Sequence, residues 1–268
     1  MIDLHSHFLY GVDDGPSDLP GSMELLRQAR EAGITEILAT PHLTEHSSRQ
    51  DQLKIQAVFS EIKEHLAESG LPIKIHLAAE IYYSPNMVKW VDQSWPLIGP
   101  GRTSLLFDIP LQFIPPDLPE TIFQLVRRKI IPIMAHPERN SQLQKEPHRL
   151  SDWMRLGCIM QMDAGSMTGE FGRACQRFSV QLLDQGAVQL IASDAHDCVQ
   201  RSFRLLVRAR QLVEKKFGRE RARLLFNDNP RRILSGERLI RFQQNAAATR
   251  VNFLQKITAK FRSALRVY

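Results

Sequence analysis

The chain has 268 residues, 43% of them hydrophobic and 24% charged, with a formal net charge of +6; this is enough apolar material for a substantial core and excludes a disordered chain. No apolar run approaches the roughly 18 residues of a spanning helix, the first residues lack a basic-then-apolar leader, and Cys158, Cys175 and Cys198, without a C-x-x-C pair, make no disulfide framework. The expectation is a reduced, cytoplasmic protein. Its positive charge lies mostly beyond residue 230, where Lys and Arg far outnumber the single acid Glu237; the rest is slightly acidic, so the overall basicity does not argue for nucleic acid.

Short apolar runs alternate with helical patterns. The first run, 2–7, carries His5 and His7, two residues apart and therefore on the same side of a strand. As a pair of imidazoles they are half of a metal site or a plain polar pair. A helix is expected over 17–33, with Met23, Leu25, Leu26 and Ala29 apolar and Gly33 as its stop. Run 35–40 ends at Pro41-His42, and 52–69 is an amphipathic helix. Run 73–79 ends at Glu80, and 104–107 at Asp108. After a helix over 120–129, run 130–135 delivers His136. A helix over 147–157 precedes run 158–162, which ends at Asp163. Helix 169–186 precedes run 188–192, which ends at Ser193-Asp194-Ala195-His196. Helical patterns return over 199–217 and 219–225.

Seven β-then-α units in series predict parallel strands joined by helical crossovers. No glycine-rich dinucleotide fingerprint follows any strand, and nearly every run drops a His, Asp or Glu at its C-terminal end, where barrels place their chemistry. An α/β barrel is therefore expected in preference to an open sheet. Its mouth would gather His5, His7, Asp14, His42, Glu80, Asp108, His136, Asp194 and His196. Singly, each is an ordinary strand-end residue. Together they would repel one another unless two or three divalent cations satisfied them. Mixed imidazole and carboxylate ligands suit Mn, Fe or Zn, and paired metals about 3.5 to 4 Å apart serve phosphoryl chemistry.

Asp3-Leu4-His5-Ser6-His7, Val12-Asp13-Asp14-Gly15-Pro16, Thr40-Pro41-His42, Ala79-Glu80-Ile81-Tyr82-Tyr83, His136-Pro137-Glu138-Arg139, Ala192-Ser193-Asp194-Ala195-His196 and Phe226-x-Asp228-Asn229-Pro230 occur in order over residues 1–235. They resemble the PHP (polymerase and histidinol phosphatase) superfamily, and within it the bacterial tyrosine-protein phosphatases of the CpsB/YwqE type from capsule and exopolysaccharide loci. The resemblance implies a distorted (β/α)7 barrel with a trinuclear metal site. It groups His5, His7, Glu80 and Asp194 as one ligand set; Glu80, Asp108 and His136 as a second; and Asp14, His42 and His196 as a third. Asp108 departs from the pattern, which has Glu there. The resemblance further implies that Arg139 and Arg201 hold the phosphate and that Asp194 or His196 orients the nucleophile. Attack would be by a metal-bound hydroxide, without a phospho-enzyme, on the tyrosine-rich tail of a bacterial tyrosine kinase. A small-molecule phosphatase such as one for histidinol phosphate, and a metal-binding regulatory module without turnover, are the alternatives.

A competing motif is Cys198-Val-Gln-Arg-Ser-Phe-Arg204, which has the C-x5-R spacing of cysteine-dependent phosphatases but lacks the small residues such a phosphate loop needs. Tyr82, Tyr83 and Trp90 follow Glu80 and suit either a cleft wall or packing. His46, His65, His76 and His148 stand away from strand ends and are expected in solvent. Residues 236–268 lie beyond the family pattern. Leu239, Ile240, Phe242, Val251, Phe253, Leu254, Ile257, Phe261 and Leu265 recur at near-helical spacing among Arg and Lys. Such a basic amphipathic helix suits packing on its own barrel or on a neighbouring subunit, a partner's groove, or an anionic membrane surface that would hold the protein at the inner face.

Overall fold

The computed structural model describes residues 1–240 apart from Ser94. β1 (Ile2–Ser6) is buried along its whole length. α1 (Leu19–Glu31) begins where the Asp18 side chain accepts the Gly21 N–H at 2.9 Å. β2 (Glu36–Ala39) is separated from β3 (His42–Leu43) by Thr40-Pro41. α2 (Arg49–Ser69) opens on a reciprocal Ser48/Asp51 capping box, three residues before the expected start at 52, and closes at Gly70 with φ 66°. Next come β4 (Lys74–Leu77), β5 (Glu80–Tyr82), a 3-10 turn (Met87–Asp92), β6 (Ser104–Asp108), α3 (Leu118–Arg127), β7 (Ile131–Ala135), α4 (Ser141–Lys145) and α5 (His148–Leu156). The chain continues through β8 (Ile159–Asp163), α6 (Ala164–Thr168), α7 (Gly172–Asp184), β9 (Leu190–Ala192), α8 (Arg204–Phe217) and α9 (Arg219–Arg223). A π-helical turn at Leu224–Asp228 leads into α10 (Asn229–Ser235).

Among the described residues the named strands pair with one another in parallel, in the orders β1-β2-β4 and β3-β5-β6-β7-β8-β9. Because β2 runs on into β3, and β4 into β5, each couple is one position of a single ring. The ladder crosses the breaks through Thr40 N–H to Ser6 O and Ala78 N–H to Ala39 O, both 2.9 Å. The ring closes where Asp194 N–H reaches His5 O at 2.9 Å and His7 N–H reaches Ala195 O at 2.8 Å. Among the described residues seven positions result, as the seven runs predict, and the ring they form is left with no unpaired sheet edge.

Ile2, Leu4, Leu38, Ala78, Leu106, Ile133, Ala135, Ile159 and Leu190 form one apolar cluster drawn from every position of the ring. It is the barrel's interior plug. Alternate residues such as Ile37, Ile81, Phe107, Met134, Met160 and Ile191 join the helices in a larger outer core. Pairing of β1 with β2 slips between Asp3 and Ser6. That irregularity lets consecutive residues both serve the interior: Leu4 in the plug and His5 in the mouth above it.

Two expected helices are shorter than the apolar pattern implied. The helix expected over 169–186 spans only α7, because Gly169 and Gly172 take φ 95° and 86°; ahead of it an unexpected short helix, α6, starts where Asp163 accepts the Gly165 N–H at 2.7 Å and stops at Gly169. The pattern over 199–217 becomes helix only at Arg204, since the Asp197 carboxylate accepts the N–H groups of Val199, Gln200 and Arg201 at 2.6, 2.6 and 3.1 Å. Asn229 clamps Ile240 through both sides of its amide, accepting at 2.9 Å and donating at 3.0 Å. The amphipathic helix expected over 236–268 lies, beyond Ile240, outside the described residues. Among the described residues no helix is long and apolar enough to cross a membrane.

Candidate metal centre

The strand ends bring all nine anticipated donors to one mouth. Glu80, fully buried at the start of β5, is the hub: Oε2 lies 3.1 Å from both His5 Nε2 and His42 Nδ1, and Oε1 lies 3.1 Å from His136 Nε2. His5 Nε2 and His7 Nε2 face each other at 3.1 Å. Asp194 Oδ1 stands 3.3 Å from the first and 3.5 Å from the second. On the opposite side His196 Nε2 and His42 Nε2 approach Asp14 Oδ1 at 3.0 and 3.5 Å.

Three groups emerge whose donor atoms lie within 4.8 Å of one another: His5, His7 and Glu80; Glu80, Asp108 and His136; and His7, Asp14, His42 and His196. The shorter side chain of Asp108 therefore still reaches its group. His7 borders two groups. His46, His65, His76 and His148 belong to none of them.

Cations fit this arrangement on three observations. Buried Glu80 Oε2, Asp108 Oδ1 and His196 Nε2 have no well-formed hydrogen bond despite close polar neighbours. Such atoms cost free energy unless something other than protein satisfies them. The facing His5 and His7 nitrogens would oppose lone pair to lone pair unless a proton or cation sat between them. The third observation is electrostatic. Burial disfavours charge throughout the mouth, yet Asp13 and Glu80 lift His7 to about 10, and Glu80 lifts His136 to about 9. Burial and the Glu80 carboxylate together push Asp108 up to about 7. Burial also opposes ionisation of Glu80 itself, but the imidazoles of His5, His136 and His42 hold it well below the usual carboxylate range. Protons do in part what cations would do better.

The backbone is strained where it aims these groups. His136, at φ 33°, and Asp194, at φ 50°, are left-handed residues at the ends of β7 and β9. Gly15 cannot carry a side chain, because a Cβ there would meet His7 O at 2.0 Å.

Behind the donors lies a supporting layer that the strand-end pattern did not single out. Asp13, passed over in favour of Asp14, takes the His7 Nδ1–H at 2.8 Å and accepts the His42 and Gly15 N–H groups at 3.2 and 3.1 Å. This leaves His7 Nε2 free to face the mouth. The Gln161 amide meets His5 Nδ1 at 2.7 Å, and its own Oε1 is otherwise unpartnered. Amide orientation is assigned from partners, and with the oxygen on Nδ1–H the ring presents Nε2 in the same way. Asp3, whose alternation with His5 and His7 was the available signal, accepts Ser193 N–H at 2.9 Å and Oγ–H at 2.5 Å, fixing the loop that carries Asp194 and His196.

Both anticipated arginines converge on Asp194, whose Oδ2 accepts Arg139 Nη1–H at 3.0 Å and Arg201 Nη2–H at 2.5 Å. Arg139 also lies 3.5 Å from Asp163 Oδ2 and 4.2 Å over the Phe171 ring. Asp163 ends a run like the other donors, and that was the signal by which it could have been included. Of the residues after Glu80, Tyr83 and Trp90 are packing residues, whereas Tyr82 is 42% exposed.

The cysteine motif fails on geometry. Three of the N–H groups that would cradle a phosphate, those of Val199, Gln200 and Arg201, are occupied by Asp197. Burial, with Glu24 and Asp197 nearby, pushes the Cys198 thiol up, away from the thiolate a nucleophile needs.

A family model described as "Capsular polysaccharide synthesis, CpsB/CapC" matches residues 1–235. A putative tyrosine-protein phosphatase, CapC, of Staphylococcus aureus is 31% identical over 206 residues, 76% of this chain and 80% of that protein. The tyrosine-protein phosphatase YwqE of Bacillus subtilis (strain 168) is 28% identical over 241 residues, 90% of this chain and 94% of its own. A solved structure from work on YwqE of Bacillus subtilis and CpsB of Streptococcus pneumoniae, described as "unique metal-dependent tyrosine phosphatases", superposes with a TM-score of 0.83 at 28% identity, covering 90% of this chain and 97% of that one. A phosphotriesterase homology protein of Escherichia coli, at 13% identity and a TM-score of 0.55 over 87% of this chain and 98% of that one, shares the fold. With the barrel, the mouth and these likenesses in agreement, the chain belongs to the CpsB/CapC family of capsular polysaccharide synthesis proteins.

Proposed function

We propose that this protein is a metal-dependent protein-tyrosine phosphatase. The observation that carries the reading is the double use of Asp194: one carboxylate oxygen faces the imidazoles of His5 and His7, while the other gathers the guanidiniums of Arg139 and Arg201. A phosphoryl group entering beside Asp194 meets two forked donors on one side and the nine-donor mouth on the other.

In this reading His5, His7, Asp14, His42, Glu80, Asp108, His136, Asp194 and His196 hold two or three divalent ions of the Mn, Fe or Zn class. Those ions, when bound, supply Lewis acidity and lower the pKa of water at neutral pH. The chain's own residues do the rest. Arg139 and Arg201 exchange Asp194 for phosphoryl oxygens and stabilise charge that grows there in the transition state. Asp194 or His196 orients the attacking water and takes its proton. Asp13, Gln161 and Asp3 hold imidazoles and loop in register, so little reorganisation is needed during reaction.

The substrate class comes from the relatives, whose names state tyrosine-protein phosphatase activity. We assign residues 1–235 to catalysis and place the physiological substrate in the tyrosine-rich tail of a bacterial tyrosine kinase; for the basic tail beyond residue 235, packing on its own barrel or a neighbouring subunit and contact with an anionic membrane surface are the two candidate roles. The test compares phosphate release from a phosphotyrosine peptide and from histidinol phosphate. Preference for the peptide supports the reading. Preference for histidinol phosphate makes the protein a small-molecule phosphatase, and release from neither at full metal loading makes it a regulatory module.

A further inference from the structure

Nothing in the mouth explains selection of an aryl phosphate. Its inner surface is imidazole, carboxylate and guanidinium, groups that recognise a phosphoryl group whatever alcohol it esterifies. The loop after β6 offers the missing chemistry. It leaves the barrel directly after Asp108 and carries Leu111 and Phe113, which remain 36% and 54% exposed.

Exposed apolar side chains on a surface loop are unremarkable when the loop is loose. This one is fastened. Asn140 donates through Nδ2 to Pro110 O at 2.7 Å and Phe113 O at 3.0 Å. Ser141 donates its N–H to Leu111 O at 2.7 Å and its hydroxyl to Gln112 O at 3.2 Å, and Ile114 N–H reaches Gln142 Oε1 at 2.8 Å. Each of these anchors lies in the three residues directly after Arg139. The loop thus spans from a donor of the mouth to the arginine proposed to hold phosphate, and its backbone is pre-ordered at both ends. A backbone fastened between a donor of the mouth and a phosphate-holding arginine keeps two apolar side chains out in water, an arrangement with a physical use when something apolar arrives with the phosphate.

We propose that the 110–113 loop is the specificity platform of this enzyme, and that Leu111 and Phe113 pack on the phenyl ring of the phosphorylated tyrosine. The proposal rests on the phosphatase reading above and adds what that reading lacks: the element that distinguishes an aryl ester from an alkyl ester. Tyr82, paired in register with Asp108 on the neighbouring strand and 42% exposed, extends the apolar rim on that side.

The experiment measures kcat/KM of the metal-loaded full-length protein for phenyl phosphate, for a phosphotyrosine peptide and for glycerol 2-phosphate. Phe113→Ala and Leu111→Ala are compared with Phe123→Ala, an exposed aromatic on α3. The ratio of phenyl phosphate to glycerol 2-phosphate is expected to fall about fivefold to tenfold in Phe113→Ala, the scale of one aromatic contact, with a smaller fall in Leu111→Ala and none in Phe123→Ala. The fall should be in KM, with metal content and melting temperature unchanged. An unchanged ratio in both loop variants overturns the proposal. So does a loss confined to the peptide, which would place the loop on residues flanking the phosphotyrosine. A wild-type protein that hydrolyses none of the three esters refutes the phosphatase reading itself, a separate result from a wild type that works while its ratio ignores the loop.

Discussion

The same seven strand positions build two opposite environments. In the lower half of the barrel, Ile2, Leu4, Leu38, Leu106, Ile133 and Leu190 fill the interior with side chains that satisfy one another. In the mouth, Glu80, Asp108 and His196 carry buried atoms that no protein group satisfies well. The plug is complete as protein; the mouth is complete only with something that is not protein. A large share of the free energy that holds the ring closed therefore belongs below, and the strain and unpaired charge concentrated above are tolerated because the plug supports them.

The sharpest break in this comparison is Glu80→Gln. It removes the charge shared by two of the three donor groups, so turnover should fall to background and metal content should drop in elemental analysis of the purified protein. Arg139→Ala should leave the metals in place and lower kcat by about 100- to 1,000-fold, as expected for a donor aimed at developing charge. If metal is lost as well, Arg139 supports the centre and does not hold phosphate. Asp13→Asn leaves every donor present but gives His7 a poorer partner, and chelator competition should register a loss of about 10- to 100-fold in metal affinity. Leu106→Ala tests the other half. It should cost about 2 to 5 kcal/mol of stability in denaturant unfolding, while the folded fraction keeps its metal and its kcat.

The two halves should also part company with pH. Without metal, His7 near 10 and His136 near 9 hold protons in the folded state that the unfolded chain releases near the ordinary histidine value of about 6.5. The folded state then binds more protons between those limits, so metal-free stability falls as pH rises through that window. With metal present, deprotonated imidazoles bind it more tightly, and rising pH raises metal affinity. Melting temperatures of chelated and metal-loaded protein measured from pH 6.5 to 9 should therefore diverge, the first falling relative to the second. Parallel curves would mean that these imidazoles are not the metal's ligands.

Much of the barrel was legible because its signals are local. Seven apolar runs, the helical patterns between most of them and the polar residue at nearly every run's end are all read over short stretches, and Asp194 and His196 stand in one motif. What was not legible depended on register and on competition for backbone N–H groups. The slip in β1 that lets Leu4 and His5 share the interior leaves no mark in composition. The helical pattern starts at Val199, but in the fold the Asp197 carboxylate takes three N–H groups, delays α8 to Arg204 and occupies part of the cradle that the cysteine motif would need. Asp14 is already expected in the mouth, but the supporting role of the adjacent Asp13 shows only once the His7 ring is in position. The fastening of Leu111 and Phe113 by the residues after Arg139 joins segments about thirty positions apart, beyond any local pattern.

The central claim is that a metal centre, and not a cysteine, performs the chemistry. Phosphate release from a phosphotyrosine peptide, measured on wild-type and Cys198→Ser protein before chelation, after it and after metal is restored, tests this most directly. The account predicts that both proteins are active, both are silenced by chelation and both recover with divalent metal. Activity that survives chelation and vanishes in Cys198→Ser would contradict it.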